Sequence, residues 1–280
     1  MRLWALSDLH VNHRGNLEAL QALPDHGADW LIAAGDLAER LDDVCAALEV
    51  LTARFARVVW VPGNHELWTT DDLRGEAKYR ALVERCRALG VLTPEDPFVA
   101  LPDGGPTLCP LFLLYDYSFA PDGMTPADAV RWAAEDHIRC ADEVLLHPDP
   151  WPTRQDWCAA RVRYSEARLS AVPGDQPTIL ISHWPLRYDL VRLYRIPRFS
   201  PWCGTRHTHD WHRRFRATAV VSGHLHMRAT DWRDGVRFEE VSLGYPKHWR
   251  PEIGAHGYLR QIHPAPGPAP APDAGPIWHR

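Results

Sequence analysis

An α/β fold is predicted by three features of the chain. Short apolar runs recur along it, and each is followed directly by a polar cluster. Between the runs lie amphipathic segments whose apolar residues fall at three- and four-residue spacing. The chain has 280 residues, 45% of them hydrophobic, enough for one large domain with a full core. Apolar runs this short suit strands buried on both faces, in a sheet covered by helices.

The runs are Leu3–Leu6, Trp30–Ala34, Val58–Val61, Thr178–Ile181 and Ala219–Val221. Leu41, Val44, Cys45, Leu48 and Leu51 mark a helix over 40–53 with one buried stripe. Leu82, Cys86 and Leu89 mark another over 74–89. Residues 96–119 carry the apolar run Leu111–Tyr115 and are expected to continue the sheet. A mainly helical insertion is expected over about 123–175, interrupted by the prolines of 147–152. Residues 226–241 read as two strands joined at Asp234-Gly235, a hairpin signal. One domain is therefore expected over 1–262, followed by a disordered Pro/Ala-rich tail over 263–280.

Composition narrows the function classes. A net charge of −5 argues against a general nucleic-acid coat. No apolar stretch approaches the ~20 residues that span a bilayer, so no membrane partner is expected. The N-terminus lacks a signal-peptide apolar region. The six cysteines are dispersed without a CxxC pair and are expected as buried free thiols. A reducing cytoplasm follows as the expected location. Oligomeric state is not readable.

The chemistry lies in the polar clusters. Asp8-Leu9-His10 follows the first run, Gly35-Asp36 the second and Gly63-Asn64-His65-Glu66 the third. His183 and Gly223-His224-Leu225-His226 follow the last two. In open α/β sheets ligands bind beyond the carboxyl ends of the strands, so five segments deliver Asp, His and Asn to one edge. These are oxygen and nitrogen donors without thiolate, which suits Mn, Fe, Zn or Ni, with Mn preferred. Asp8, His10, Asp36, Asn64, His183, His224 and His226 are too many for one four-coordinate zinc. They suit two divalent ions sharing a carboxylate. Two such ions about 3.5–4 Å apart can hold a hydroxide nucleophile and clamp a phosphoryl group.

This ordered set, from Asp8 to His226, resembles the calcineurin-like metallophosphoesterase superfamily. The resemblance implies a four-layer αββα sandwich and a dinuclear centre. It implies that Asp8, His10 and His226 hold one metal, that Asn64, His183 and His224 hold the other, and that Asp36 bridges. It makes His65 the acid that stabilises or protonates the leaving oxygen. Departures narrow the branch. Glu39 stands where purple acid phosphatases carry a ligand tyrosine. Leu37-Ala38-Glu39-Arg40 replaces the Val-Asp-Arg-Gly block of protein Ser/Thr phosphatases, and lipid A pathway pyrophosphatases place Arg where His65 stands. Glu66 is read as an orienting or helix-start residue.

The segment 187–216 holds eight arginines against Asp189 and Asp210, a local +6 that leaves −11 for the rest. Arg forks match phosphate oxygens, so Arg187, Thr205 and Arg206, with Trp184 beside His183, are candidate substrate contacts. Thr205-Arg206 could open a helix N-terminus toward the phosphate. The competing reading pairs these arginines with acids of the insertion. His207, His209 and His212 are read as a polar helical group rather than a second metal site. The expected function is a metal-dependent phosphoesterase acting on a small phosphorylated molecule. A nuclease or nucleotide phosphodiesterase using the Arg-rich segment, with a nucleic-acid partner, is the alternative. A metal-stabilised scaffold docking an acidic protein is the third reading.

Overall fold

The structure is a computed structural model that describes residues 1–267 and 275–279. Eleven strands form in chain order among the described residues. They are β1 (Leu3–Leu6), β2 (Trp30–Ala33), β3 (Arg57–Trp60), β4 (Val99–Ala100), β5 (Thr107–Pro110) and β6 (Thr178–Ile181). Then follow β7 (Ala217–Ser222), β8 (Ala229–Arg233), β9 (Val236–Glu240), β10 (Arg260–His263) and β11 (Ile277–Trp278). The helices are α1 (Arg14–Gln21), α2 (Leu41–Thr52), α3 (Asn64–Leu67), α4 (Gly75–Ala88), α5 (Pro126–Glu135), α6 (Asp142–Leu145), α7 (Arg154–Ser170) and α8 (Trp211–Arg214).

One sheet has the order β10-β1-β2-β3 and the other β11-β8-β9-β7-β6-β5-β4. Within them β1-β2-β3 and β5-β6-β7-β9 run parallel. The side-chain period of two explains the layering. Leu3 and Ala5 of β1, Ile32 of β2, Val59 of β3, Ile179 and Ile181 of β6 and Val221 of β7 share one buried cluster, the seam between the sheets. The alternate residues Leu31, Ala33, Val58 and Trp60 pack in a second cluster with Leu48 and Leu51 of α2 and Leu82 of α4. Leu180 and Val220 join that second cluster with Trp157 and Leu169 of α7 and Trp211 of α8. The result is the expected αββα sandwich.

The insertion supplies α5, α6 and α7 within the crossover from β5 to β6. β5 ends at Pro110, so Leu111–Tyr115 lies beyond the strand, where it is buried as irregular core. The β8–β9 hairpin turns at Asp234 and Gly235, both at positive φ, as an Asp-Gly turn requires. All six cysteines are buried and free. Among the described residues no helix is long and apolar enough to cross a membrane.

The tail departs from the sequence expectation. His263 belongs to β10, and Ile277–Trp278 pairs antiparallel with β8. Its proline-rich middle, 268–274, lies outside the described residues. Low complexity hides the Ile-Trp-His end, where β propensity and an open sheet edge favour pairing.

Candidate metal centre and its cleft

Each of the seven candidate ligands stands just beyond a strand: Asp8 and His10 after β1, Asp36 after β2, Asn64 after β3, His183 after β6, and His224 and His226 after β7. A chain leaving a sheet must turn sharply to aim a side chain inward, and the backbone records this. Asp8, His10, Asp36, His224 and His226 all take positive φ, between 41° and 73°. Non-glycine residues rarely do so, and such strain clusters at functional sites. The preceding glycines supply room. A Cβ on Gly63 would run into the Asp36 carboxylate, and one on Gly223 into Ser7 and Asp8.

The seven side chains converge. His226 Nε2 lies 2.9 Å from Asp8 Oδ1 and 3.3 Å from His10 Nε2. His183 Nε2 lies 3.3 Å from Asp36 Oδ2, and His224 Nδ1 lies 3.2 Å from both His183 Nε2 and Asn64 Oδ1. Ligands about 2.1 Å from a shared ion and in adjacent coordination positions stand roughly 3.0–3.4 Å apart. The donor set and its spacing therefore fit two neighbouring cations. Asp36 and His10 join the groups, since both also cluster with His65.

Other residues hold these side chains in place. Glu66 accepts the backbone N–H groups of Asp36, Leu37 and Gly63 at 2.8–2.9 Å, which pins the loops after β2 and β3 together. Asp8 Oδ2 accepts from Ser7, from Ser242 and from the His224 backbone, leaving Oδ1 to face the site. His183 Nδ1 meets the Ala34 carbonyl at 2.9 Å, which turns Nε2 inward. Asn64 Nδ2 donates to Asp142 Oδ1 at 3.0 Å, so Asn64 Oδ1 faces the cluster. Asp142, from α6 of the insertion, also accepts from Trp68 Nε1 at 2.6 Å. No sequence motif marks Asp142. Only its burial and these two bonds reveal it.

The charges respond as a cluster of this kind requires. Burial pushes Asp8 up, but His226 and His183 outweigh it and hold its carboxyl well below the usual range. Burial opposes charge on His183, yet Asp36 raises it to about 10. Burial drives His224 and His10 down to about 3, so both stay neutral and able to ligate. Glu66 is pushed up to about 7, mainly by burial and by Asp36.

His65 sits beside the cluster. Its ring meets His10 edge-on at 4.6 Å and packs on Trp68 at 3.7 Å. Its Nε2 is 3.9 Å from Asp36 and its Nδ1 3.5 Å from Glu39. Burial works against its charge, but Asp36 and Glu39 raise it above the ordinary histidine value. Lys78, buried beneath, donates to the Glu39 and Trp68 carbonyls on either side of His65.

A cleft of about 650 Å³ opens on Asp36, Asn64, His65, His224 and His226. Its outer wall carries Leu193, Ile196, Phe199, Met227 and Trp278, with exposed Arg195 and Lys247. The sequence-predicted substrate contacts are not among its lining residues. Trp184 is buried edge-on behind His183, in the core. Thr205 bonds Asp116 at 2.8 Å and opens only a three-residue 3-10 turn. Arg206 binds Ser118 and Asp122, and Arg187 binds Asp189. Most of the remaining arginines are also engaged. Arg192 pairs with Asp231, Arg198 with Glu135 and Asp136, Arg213 with Asp234, and Arg214 with Glu166. Acids of the insertion take two of them, so neutralisation describes the +6 segment better than a phosphate track. His207 and His212 face Asp116 and Asp234 separately and gather no common site.

The comparisons with known proteins agree with this geometry. Residues 1–228 match the calcineurin-like phosphoesterase family. The acyl-carrier-protein phosphodiesterase PptH of Mycobacterium tuberculosis is 49% identical over 276 residues, spanning 96% of this chain and 85% of that protein. The crystal structure of the phosphopantetheinyl hydrolase PptH from Mycobacterium tuberculosis matches with a TM-score of 0.91 at 48% identity, over 96% of this chain and 98% of that one. With its donor residues gathered at the strand ends and its fold shared almost end to end, this chain belongs to the calcineurin-like phosphoesterases, enzymes that hydrolyse phosphate esters.

Proposed function

We propose that the enzyme is a metal-dependent phosphodiesterase that releases the phosphopantetheinyl arm from an acyl carrier protein. The observation that carries this is the 49% identity to a carrier-protein phosphodiesterase across nearly the whole chain. The open cleft supports it, since its mixed apolar and cationic wall suits a diester borne on an organic arm. The small phosphorylated molecule expected from sequence thus gives way to a protein-borne diester. The ion-paired arginines weigh against a nucleic-acid track.

Asp8, His10 and His226 would hold one divalent ion and Asn64, His183 and His224 a second, with Asp36 between them. Ions held there supply charge to offset the phosphate oxygens and acidify water for attack. Manganese is the first choice among Mn, Fe, Zn and Ni. His65 stands at the cleft wall as the acid. The water-derived oxygen bonds to phosphorus, the bond from phosphorus to the carrier oxygen breaks, and His65 gives that oxygen its proton. Glu39 behind His65 orients the ring and favours its protonated form.

The test incubates the enzyme and Mn²⁺ with a phosphopantetheinylated carrier protein and follows both products by mass spectrometry. Metal-dependent appearance of the bare carrier and free phosphopantetheine is expected, with loss of turnover after chelation. An intact carrier beside rapid hydrolysis of an aryl phosphomonoester would make the enzyme a monoesterase instead.

A further inference from the structure

We infer that Trp278, carried by the C-terminal strand β11, is a substrate-binding residue that takes the organic group attached to the phosphate. This inference rests on the phosphodiesterase reading. β11 is only two residues long and adds to the open edge of the seven-stranded sheet, Ile277 opposite Thr230 and Trp278 opposite Ala229. Such a short strand needs anchors. His279 provides two, its backbone N–H donating to Arg228 at 2.8 Å and its ring meeting the Thr230 hydroxyl at 2.8 Å.

The pairing has a consequence for the site. β8 begins three residues after the candidate ligand His226, so the residue opposite Ala229 is set beside the metal cluster. Trp278 lines the same cleft as Asp36, His65 and His226. Its side chain remains 44% exposed, so it adds little to the core that would by itself justify so large a residue. With Leu193, Ile196, Phe199 and Met227 it forms one apolar wall beyond the phosphate position. A phosphate bound to the cluster would leave its ester arm lying along that wall. A pantetheine chain, with its gem-dimethyl group and flat amides, offers surface for an indole face.

The experiment uses the full chain with Mn²⁺ and two diesters sharing a p-nitrophenyl leaving group, one bearing a methyl and one a pantetheinyl group. The methyl group lacks the length and apolar surface of the pantetheinyl arm. The wild-type enzyme is expected to prefer the pantetheinyl diester. W278A should raise KM for that diester by roughly tenfold and leave both constants for the methyl diester within about twofold. W278F, which keeps an aromatic face, should retain most of the preference. The inference is overturned by equal losses on both diesters, by no loss on either, or by a wild-type enzyme indifferent to the arm. Cleavage of the intact carrier by the wild-type enzyme is scored separately. An untouched carrier together with a selective W278A defect would remove the carrier reading and leave Trp278 in its role.

Discussion

Asp142 offers the sharpest test of how the insertion supports the centre. Its Oδ1 accepts from Asn64 Nδ2 and Trp68 Nε1, at 3.0 and 2.6 Å, in a fully buried place. Asp142→Leu keeps the side-chain bulk and strands both donors. A buried donor without an acceptor costs about 1–3 kcal/mol, so the pair costs about 2–6 kcal/mol. Removing a buried carboxylate offsets part of this, because burial already pushes Asp142 above its ordinary pKa. A net loss of about 2–3 kcal/mol lowers Tm by roughly 4–12 °C in a domain this large. Asn64 is then free to turn its oxygen away from His224, and loss of such an outer partner costs about 10–100-fold in metal affinity. Asp142→Asn keeps an acceptor and should lie much closer to wild type. Calorimetric Mn²⁺ titration alongside thermal melting separates the effects. If Asp142→Leu melts early but binds Mn²⁺ as wild type does, Asp142 is a packing residue and the orienting argument fails.

Three further outcomes are expected. His65→Ala should retain metal by elemental analysis yet lose about 10²–10⁴-fold in kcat, most for poor leaving groups; release of metal would contradict its role as acid. Lys78→Met leaves the Glu39 and Trp68 carbonyls without their buried donor. It should cost about 1–3 kcal/mol in denaturant melts and lower kcat by roughly tenfold while KM holds, since His65 loses its support on both sides. Metal affinity should rise with pH. Asp36 raises His183 to about 10 against the opposing effect of burial, and Asp8 likewise raises His226, so chelator-stripped protein carries protons that a cation must displace. Each displaced proton steepens binding by about tenfold per pH unit, and a pH-independent Kd between pH 6 and 8 would refute this coupling.

The candidate ligands were legible because each obeys a local rule: an apolar run, a glycine or tight turn, then a donor side chain. The hairpin at Asp234-Gly235 and the helices α2 and α4 were legible for the same reason. The substrate contacts were not. The eight arginines of 187–216 mark a charged segment, but several of the acids that pair with them lie far away in sequence. Glu135, Asp136 and Glu166 come from the insertion and Asp231 from β8, and only the folded chain brings them to Arg198, Arg214 and Arg192. Adjacency in the chain is a poor guide at Trp184: next to His183, it packs behind the ligand rings and is buried away from the cleft. Asp142 and Trp278 carry no motif, because one acts through another side chain and the other follows a proline-rich stretch.

This division has a physical basis. The strained turns that hold Asp8, His10, Asp36, His224 and His226 cost on the order of 1–3 kcal/mol each, so neighbouring bonds must fix them. They do: Asp8 N–H donates to Gly35 O at 2.8 Å, His10 N–H to Asp36 O at 3.0 Å, and Glu66 binds three amides across two loops. A centre so constrained tolerates few alternatives and leaves a dense imprint on sequence. The wall opposite is assembled from the loop around 193–199, the 245–248 turn and β11. The turn touches the ligands, His248 meeting His226 at 3.1 Å and Tyr245 stacking on His10, whereas among the described residues 193–199 and β11 make no hydrogen bond to any of them. The proposed function accordingly assigns phosphate chemistry to the strand ends and the choice of ester arm to the segments added around them. Substitutions in 193–199 and at Trp278 should redirect substrate preference without releasing metal.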